Sequence, residues 1–115
     1  MARYLYLGRY NGDGCRGVVA EGGSGRESET RELFSALGGR VETYQFAVGP
    51  DFDFVIIAEM PDTAAAIVPP LMASATGTVE VRTTLLLSPA EEEEAGAVDV
   101  AAQQARGLSF RAAGS

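Results

Sequence analysis

Two carboxylates stand two residues apart in GPDFDFVIIAE, residues 49–59, where Asp51 and Asp53 lead into an apolar run. A carboxylate at the mouth of a half-buried strand is a candidate general base, because desolvation raises its pKa toward the working range. On that reading Asp53 accepts a proton in a cofactor-free isomerisation, cyclisation or oxygenation, and Asp53→Asn removes activity while keeping the fold. The plainer reading is that Asp53 caps the hairpin turn or pairs with Arg9 or Arg82. Asp51 belongs to the turn itself, as Asp in Gly-Pro-Asp commonly does.

Other residues could assist. Tyr4, Tyr6 and Tyr10 could line an aromatic pocket and offer hydroxyls to a ligand, or simply form an interface strand. Gln45 joins them as a candidate ligand contact. Arg82 could hold a ligand carboxylate or phenolate, or could pair with Glu59, Glu80 or a second copy. Cys15 lacks a nearby His or Lys to activate its thiol. Gly12 to Gly17 formally spell G-x-G-x-x-G, but a single preceding strand and a short chain argue against a dinucleotide fold. Glu91 to Glu94 read as a solvated helix start and not a metal site.

The chain of 115 residues contains no histidine, one cysteine and no lysine, and its net charge is −7. His-ligated haem or zinc and His-based triads are thereby excluded. No cofactor and no metal are expected. An acidic chain without lysine is a poor match for nucleic acid or anionic membranes. One cysteine allows no internal disulfide. Met1 to Tyr4 enter a strand pattern with no signal-peptide layout, so a cytoplasmic location is expected.

The elements that must position these residues follow from periodicity. Residues 3–10 alternate as a strand, and the glycine-rich 11–25 read as a loop. Ser24 and Glu27 have capping-box spacing, which predicts a helix over 25–37 stopped by Gly38-Gly39. Residues 40–48 alternate again, and 52–60 form a further strand. Asp62 caps a second helix, which Pro69-Pro70 should kink or break. Residues 78–87 make the last strand. Ser88, Pro89 and Glu91 start a third helix that runs to about Gln104, with Leu108 and Phe110 as anchors of a tail.

The order β-α-β-β-α-β is that of a ferredoxin-like α+β fold with antiparallel strand order 4-1-3-2 and an extra C-terminal helix. Residues 1–88 form the domain; 89–115 are helix and tail. Phe52, Phe54, Ile56, Ala58, Tyr44, Phe46 and Val48 are sent toward the helices. Thr43, Gln45, Asp53, Val55, Ile57, Glu59, Glu80, Arg82 and Thr84 are sent to the open face. Tyr4 and Tyr6 join that open face, the reversed setting of the strand being the alternative. A bare half-apolar face calls for a second copy, giving a homodimer with a cavity between sheets.

ALGGRVETYQFAVGPDFDFVIIAEMPD followed by VRTTLLLSPAE resembles the GYD-domain family of small bacterial proteins. The family's Gly-Tyr-Asp turn is altered here: Gly49 matches the glycine, Phe52 replaces the tyrosine, Asp53 matches the aspartate, and two residues are inserted. The resemblance covers residues 3–90 and implies a dimeric α/β barrel. It carries over no catalytic residues. By fold analogy alone, relatives of that barrel include cofactor-free monooxygenases, lactone isomerases and polyketide cyclases. The expected function is binding of a small apolar or aromatic molecule in a sheet-lined cavity through Tyr4, Tyr6, Tyr10, Gln45 and Arg82, with Asp53 as base if the protein is catalytic. The alternative is an oligomerisation or regulatory module without ligand.

Overall fold

A computed structural model describes residues 1–106. Along the chain lie β1 (Ala2–Tyr10), α1 (Gly12–Glu21), α2 (Gly23–Ala36), β2 (Arg40–Phe46), β3 (Phe54–Met60), α3 (Thr63–Thr76), β4 (Val79–Leu86) and α4 (Pro89–Arg106). The sheet is antiparallel throughout, with order β2-β3-β1-β4. This is the ferredoxin-like arrangement anticipated from the element order, with α4 as the extra C-terminal helix. The tail anchors expected at Leu108 and Phe110 lie outside the described residues.

One sheet face carries the core. Phe54, Ile56, Ala58 and Met60 alternate inward along β3, as their parity predicts, and all four are buried. Tyr4 pairs with Ala58 and Tyr6 with Ile56, so β1 turns its tyrosines to the same face. This corrects the placement of Tyr4 and Tyr6 on the open face. The physical reason is volume: the tyrosine rings fill the space under α2 and α3, and Phe34 meets Tyr6 edge-on with centroids 5.2 Å apart. Tyr6, Phe34 and Met60 are the largest fully buried side chains, each worth ~1.5–3 kcal/mol of hydrophobic stabilisation.

Residues 12–21, expected as loop, form α1. Asn11 supplies the cap, its Oδ1 accepting from Gly14 N at 2.9 Å. Gly14 costs roughly 1 kcal/mol of helix propensity relative to Ala. It is nonetheless the residue that fits, since a Cβ there would overlap the carbonyl of Thr78. Tertiary packing therefore overrides composition. Gly22 ends α1 and is also the cap position of α2, so the anticipated Ser24–Glu27 box is not used. The other caps form as read. Asp62 Oδ1 accepts from Ala65 N at 2.7 Å, and Ser88 and Glu91 exchange bonds of 3.0 and 3.1 Å.

The proline pair does not break α3, which runs unbroken from Thr63 to Thr76. Pro70 has no N–H to give the carbonyl four residues earlier, that of Ala66. That carbonyl instead accepts the Tyr6 hydroxyl at 2.7 Å, in the buried core. A strand side chain thus completes the helix ladder. Burial pushes the Tyr6 hydroxyl up to about 12, with Tyr4 adding to the shift.

Thr83 sits on the same face of β4, opposite Tyr6. Its Oγ1 is buried with no hydrogen-bond partner. Thr83→Val keeps the β-branched shape and deletes an unsatisfied hydroxyl. The expected result is a gain of about 1 kcal/mol, read as a higher urea midpoint at constant slope.

The opposite face is uncovered. Leu5, Leu7, Val55 and Ile57 form its half-buried centre, and charged pairs surround them. A bulge between Val41 and Thr43 turns Glu42 out to meet Arg3 at 2.8 Å and Arg40 at 3.6 Å. The hydrogen bond from Arg3 holds the Glu42 carboxyl below its ordinary value. Among the described residues α4 makes no extended contact with the sheet or the other helices, and Val98 and Val100 on it are exposed.

Candidate functional site

A cavity of about 380 Å³ opens between the sheet and helices α1, α2 and α3. It lies on the helix side of the sheet, whereas the sequence placed a pocket on the open side against a second copy. Its wall has an apolar part and a polar part. Phe34, Phe54, Ile56 and Val81 supply the first. Tyr10, Tyr44, Thr30 and Arg26 supply most of the second, with Asp13 and Glu21 contributed by α1.

Local sequence explains each placement. Tyr10 ends β1 and shares the parity of Tyr4 and Tyr6. Gly8 lies between them on the same face and pairs with Phe54, whose ring crosses the glycine so closely that a Cβ would overlap it. The Phe54 ring thus comes within 5.2 Å of Tyr10, centroid to centroid. Tyr44 lies parallel to Phe54, at 6.4 Å. Arg26, on the second turn of α2, is held by Glu29 at 3.1 Å and Glu21 at 3.8 Å.

Both rim hydroxyls stay protonated well above neutrality. Burial raises Tyr10 most, with the neighbouring Tyr44 adding to it by charge and hydrogen bonding. Burial also raises Tyr44, against the opposing effect of hydrogen bonds with Thr30 and Tyr10 and of the Arg26 charge. Neither is poised to act as a base near pH 7; both are donors.

The residues singled out in the sequence divide among three places. Tyr6 and Tyr10 line the cavity, while Tyr4 is buried in the adjoining core. Gln45 and Arg82 are on the other face and exposed, and Arg82 stands 3.8 Å from Glu80. Asp53 sits at the end of the sheet where β1, β3 and β4 converge. Its Oδ2 accepts from Tyr10 N at 2.7 Å, its N–H donates to Gly8 O at 2.7 Å, and its carbonyl accepts from Ala47 N at 2.8 Å. The carboxylate thus fixes the end of β1 and the residue that carries the rim hydroxyl. Asp51 contributes its backbone carbonyl to Arg9 at 3.4 Å. Tyr44 and Arg26 were not singled out in the sequence. The alternation of Tyr44 with Phe46 was the available signal for the first; nothing local marks the second.

A single antiparallel sheet with helices on one face and a cavity beneath them defines a small α+β protein of the ferredoxin-like class. The chain belongs to the GYD domain family, whose model matches residues 4–95. A search among curated proteins finds no match. Among the described residues no helix is long and apolar enough to cross a membrane.

Proposed function

We propose that this protein binds a small, largely apolar molecule in the cavity between its sheet and helices. The observation that carries this reading is the cavity itself, about 380 Å³ walled by aromatic and aliphatic side chains with a few polar groups at one end. Binding sites for small molecules have this size and mixture. Asp53 supports the site by holding Tyr10, and proton-transfer chemistry of the isomerase, cyclase or monooxygenase kind forms no part of the proposal. The test is calorimetric titration with tetralin-sized aromatic compounds. Binding is expected for the native protein and is lost in Ala73→Phe and in Val81→Phe, which fill the cavity from α3 and from β4. Equal binding by the native protein and both filled variants would place the ligand elsewhere.

A second copy is the expected partner of the open face. Leu5, Leu7, Val55 and Ile57 leave an apolar centre uncovered in one chain, ringed by Arg3, Arg40 and Arg82 with their carboxylates. Such a face is stabilised by burial against another layer. This also favours the reading of an oligomerisation module, and the two are compatible because cavity and open face lie on opposite sides of the sheet. Light scattering after size exclusion should give twice the 12.0 kDa chain mass, and Ile57→Arg should return it to one. A monomeric native protein rejects the pairing.

A further inference from the structure

The cavity's charges are already matched to one another. Asp13 is paired with Arg16, and Arg26 lies between Glu21 and Glu29. An anionic ligand would approach two carboxylates and a single neutralised guanidinium, while a cationic one would have to displace an arginine from its partner. The Tyr6 hydroxyl is committed to Ala66 O, and the Thr30 hydroxyl to Arg26 O at 2.9 Å. That leaves Tyr10 and Tyr44, which both line the cavity and both pack against the Phe54 ring, as the hydroxyls at the polar end.

Resting on the reading of the cavity as a binding site, we propose that its ligand is an uncharged compound with an aromatic or alicyclic body and one accepting oxygen, a ketone or similar carbonyl, which meets the Tyr10–Tyr44 hydroxyl pair. Tyr44 is hydrogen-bonded to Thr30 and to Tyr10, so the Tyr10 hydroxyl, at the end of that chain, is the one whose proton can turn to a ligand oxygen. The aromatic rings around it supply apolar area and exclude water, which strengthens the bond. Both hydroxyls keep their protons across the neutral range, since burial raises them above the ordinary tyrosine value.

Four compounds of nearly one shape separate the possibilities: tetralin, 1-tetralone, 1-aminotetralin and tetrahydro-1-naphthoate. Titrated into the native protein at pH 7, tetralone should bind about fivefold more tightly than tetralin, the worth of one neutral hydrogen bond. The amine and the carboxylate should bind more weakly than tetralin. In Tyr10→Phe the ratio of tetralone to tetralin affinity should fall to about one. If tetralin and tetralone bind alike to the native protein, the cavity is a ligand site but the carbonyl assignment fails. Tightest binding by the amine or the carboxylate overturns the assignment of a neutral ligand. If none of the four binds, both this inference and the reading beneath it are rejected.

Discussion

Gly8→Ala should cost about 3 kcal/mol, the upper part of the range for overpacked cores, and lower the melting temperature by roughly 12 °C. Gly8 is buried in the central strand β1, and the Phe54 ring occupies the space where a Cβ would go. The strand cannot shift away to make room, because it is hydrogen-bonded to β3 on one side and β4 on the other. The ring must move instead, and it is wedged against Tyr10 and Tyr44. Chemical denaturation of Gly8→Ala, Phe54→Leu and the double variant measures this directly. The double variant should be less destabilised than the sum of the singles by 1 kcal/mol or more, the mark of two groups sharing one space. Additive losses would mean that the glycine is there for its backbone alone. The cavity should suffer along with stability, since a displaced Phe54 ring intrudes on it.

Tyr6→Phe should cost about 2 kcal/mol at pH 7, an unusually large effect for one oxygen atom. The variant strips the Ala66 carbonyl of its donor inside the core, and a buried acceptor without a partner carries its full desolvation cost. The same variant should change the alkaline limb of the stability profile. The native Tyr6 hydroxyl holds its proton to about pH 12, whereas in the unfolded chain it is released near 10. Between those values the native state binds more protons than the unfolded one, so stability falls as pH rises. The contribution is fully present below pH 10, and about 2 kcal/mol of it is lost by pH 12. Urea titrations from pH 9 to 12 should show a shallower decline for Tyr6→Phe than for the native chain. Parallel declines would show that Tyr6 has no part in it.

The alternation of the strands and the stop at Gly38-Gly39 were enough to specify the sheet order, because each is a local cue with one physical reading. The direction in which β1 faces was not. Its two faces read Tyr4-Tyr6-Gly8-Tyr10 and Arg3-Leu5-Leu7-Arg9, each with an apolar centre, so parity alone leaves them nearly equal. The deciding residue is Gly8, whose missing side chain makes sense only beneath an inward ring. Helix α1 was illegible because its glycines imitate a loop, and the contact that requires Gly14 comes from Thr78, sixty-four positions away. The candidate site was half legible. Tyr6 and Tyr10 were named on the expectation that they faced the open side, and Asp53 was recognised at the sheet end without its backbone partner. Arg26 and Tyr44 reach the cavity through the packing of α2 on β2, which no sequence window contains.

The bond from Tyr6 to Ala66 also bears on the order in which the chain folds. A helix that carries Pro69-Pro70 in its interior lacks two of its own backbone donors, and such a segment gains little by forming alone. Its missing partner arrives from a strand sixty residues earlier in the chain. Helix α3 should therefore consolidate late, after β1 has taken its place between β3 and β4. In stopped-flow measurements Tyr6→Phe should then accelerate unfolding and leave the refolding rate nearly unchanged, a φ-value near zero. The wall of the cavity that α3 provides would be the last to close on the way in and the first to open on the way out.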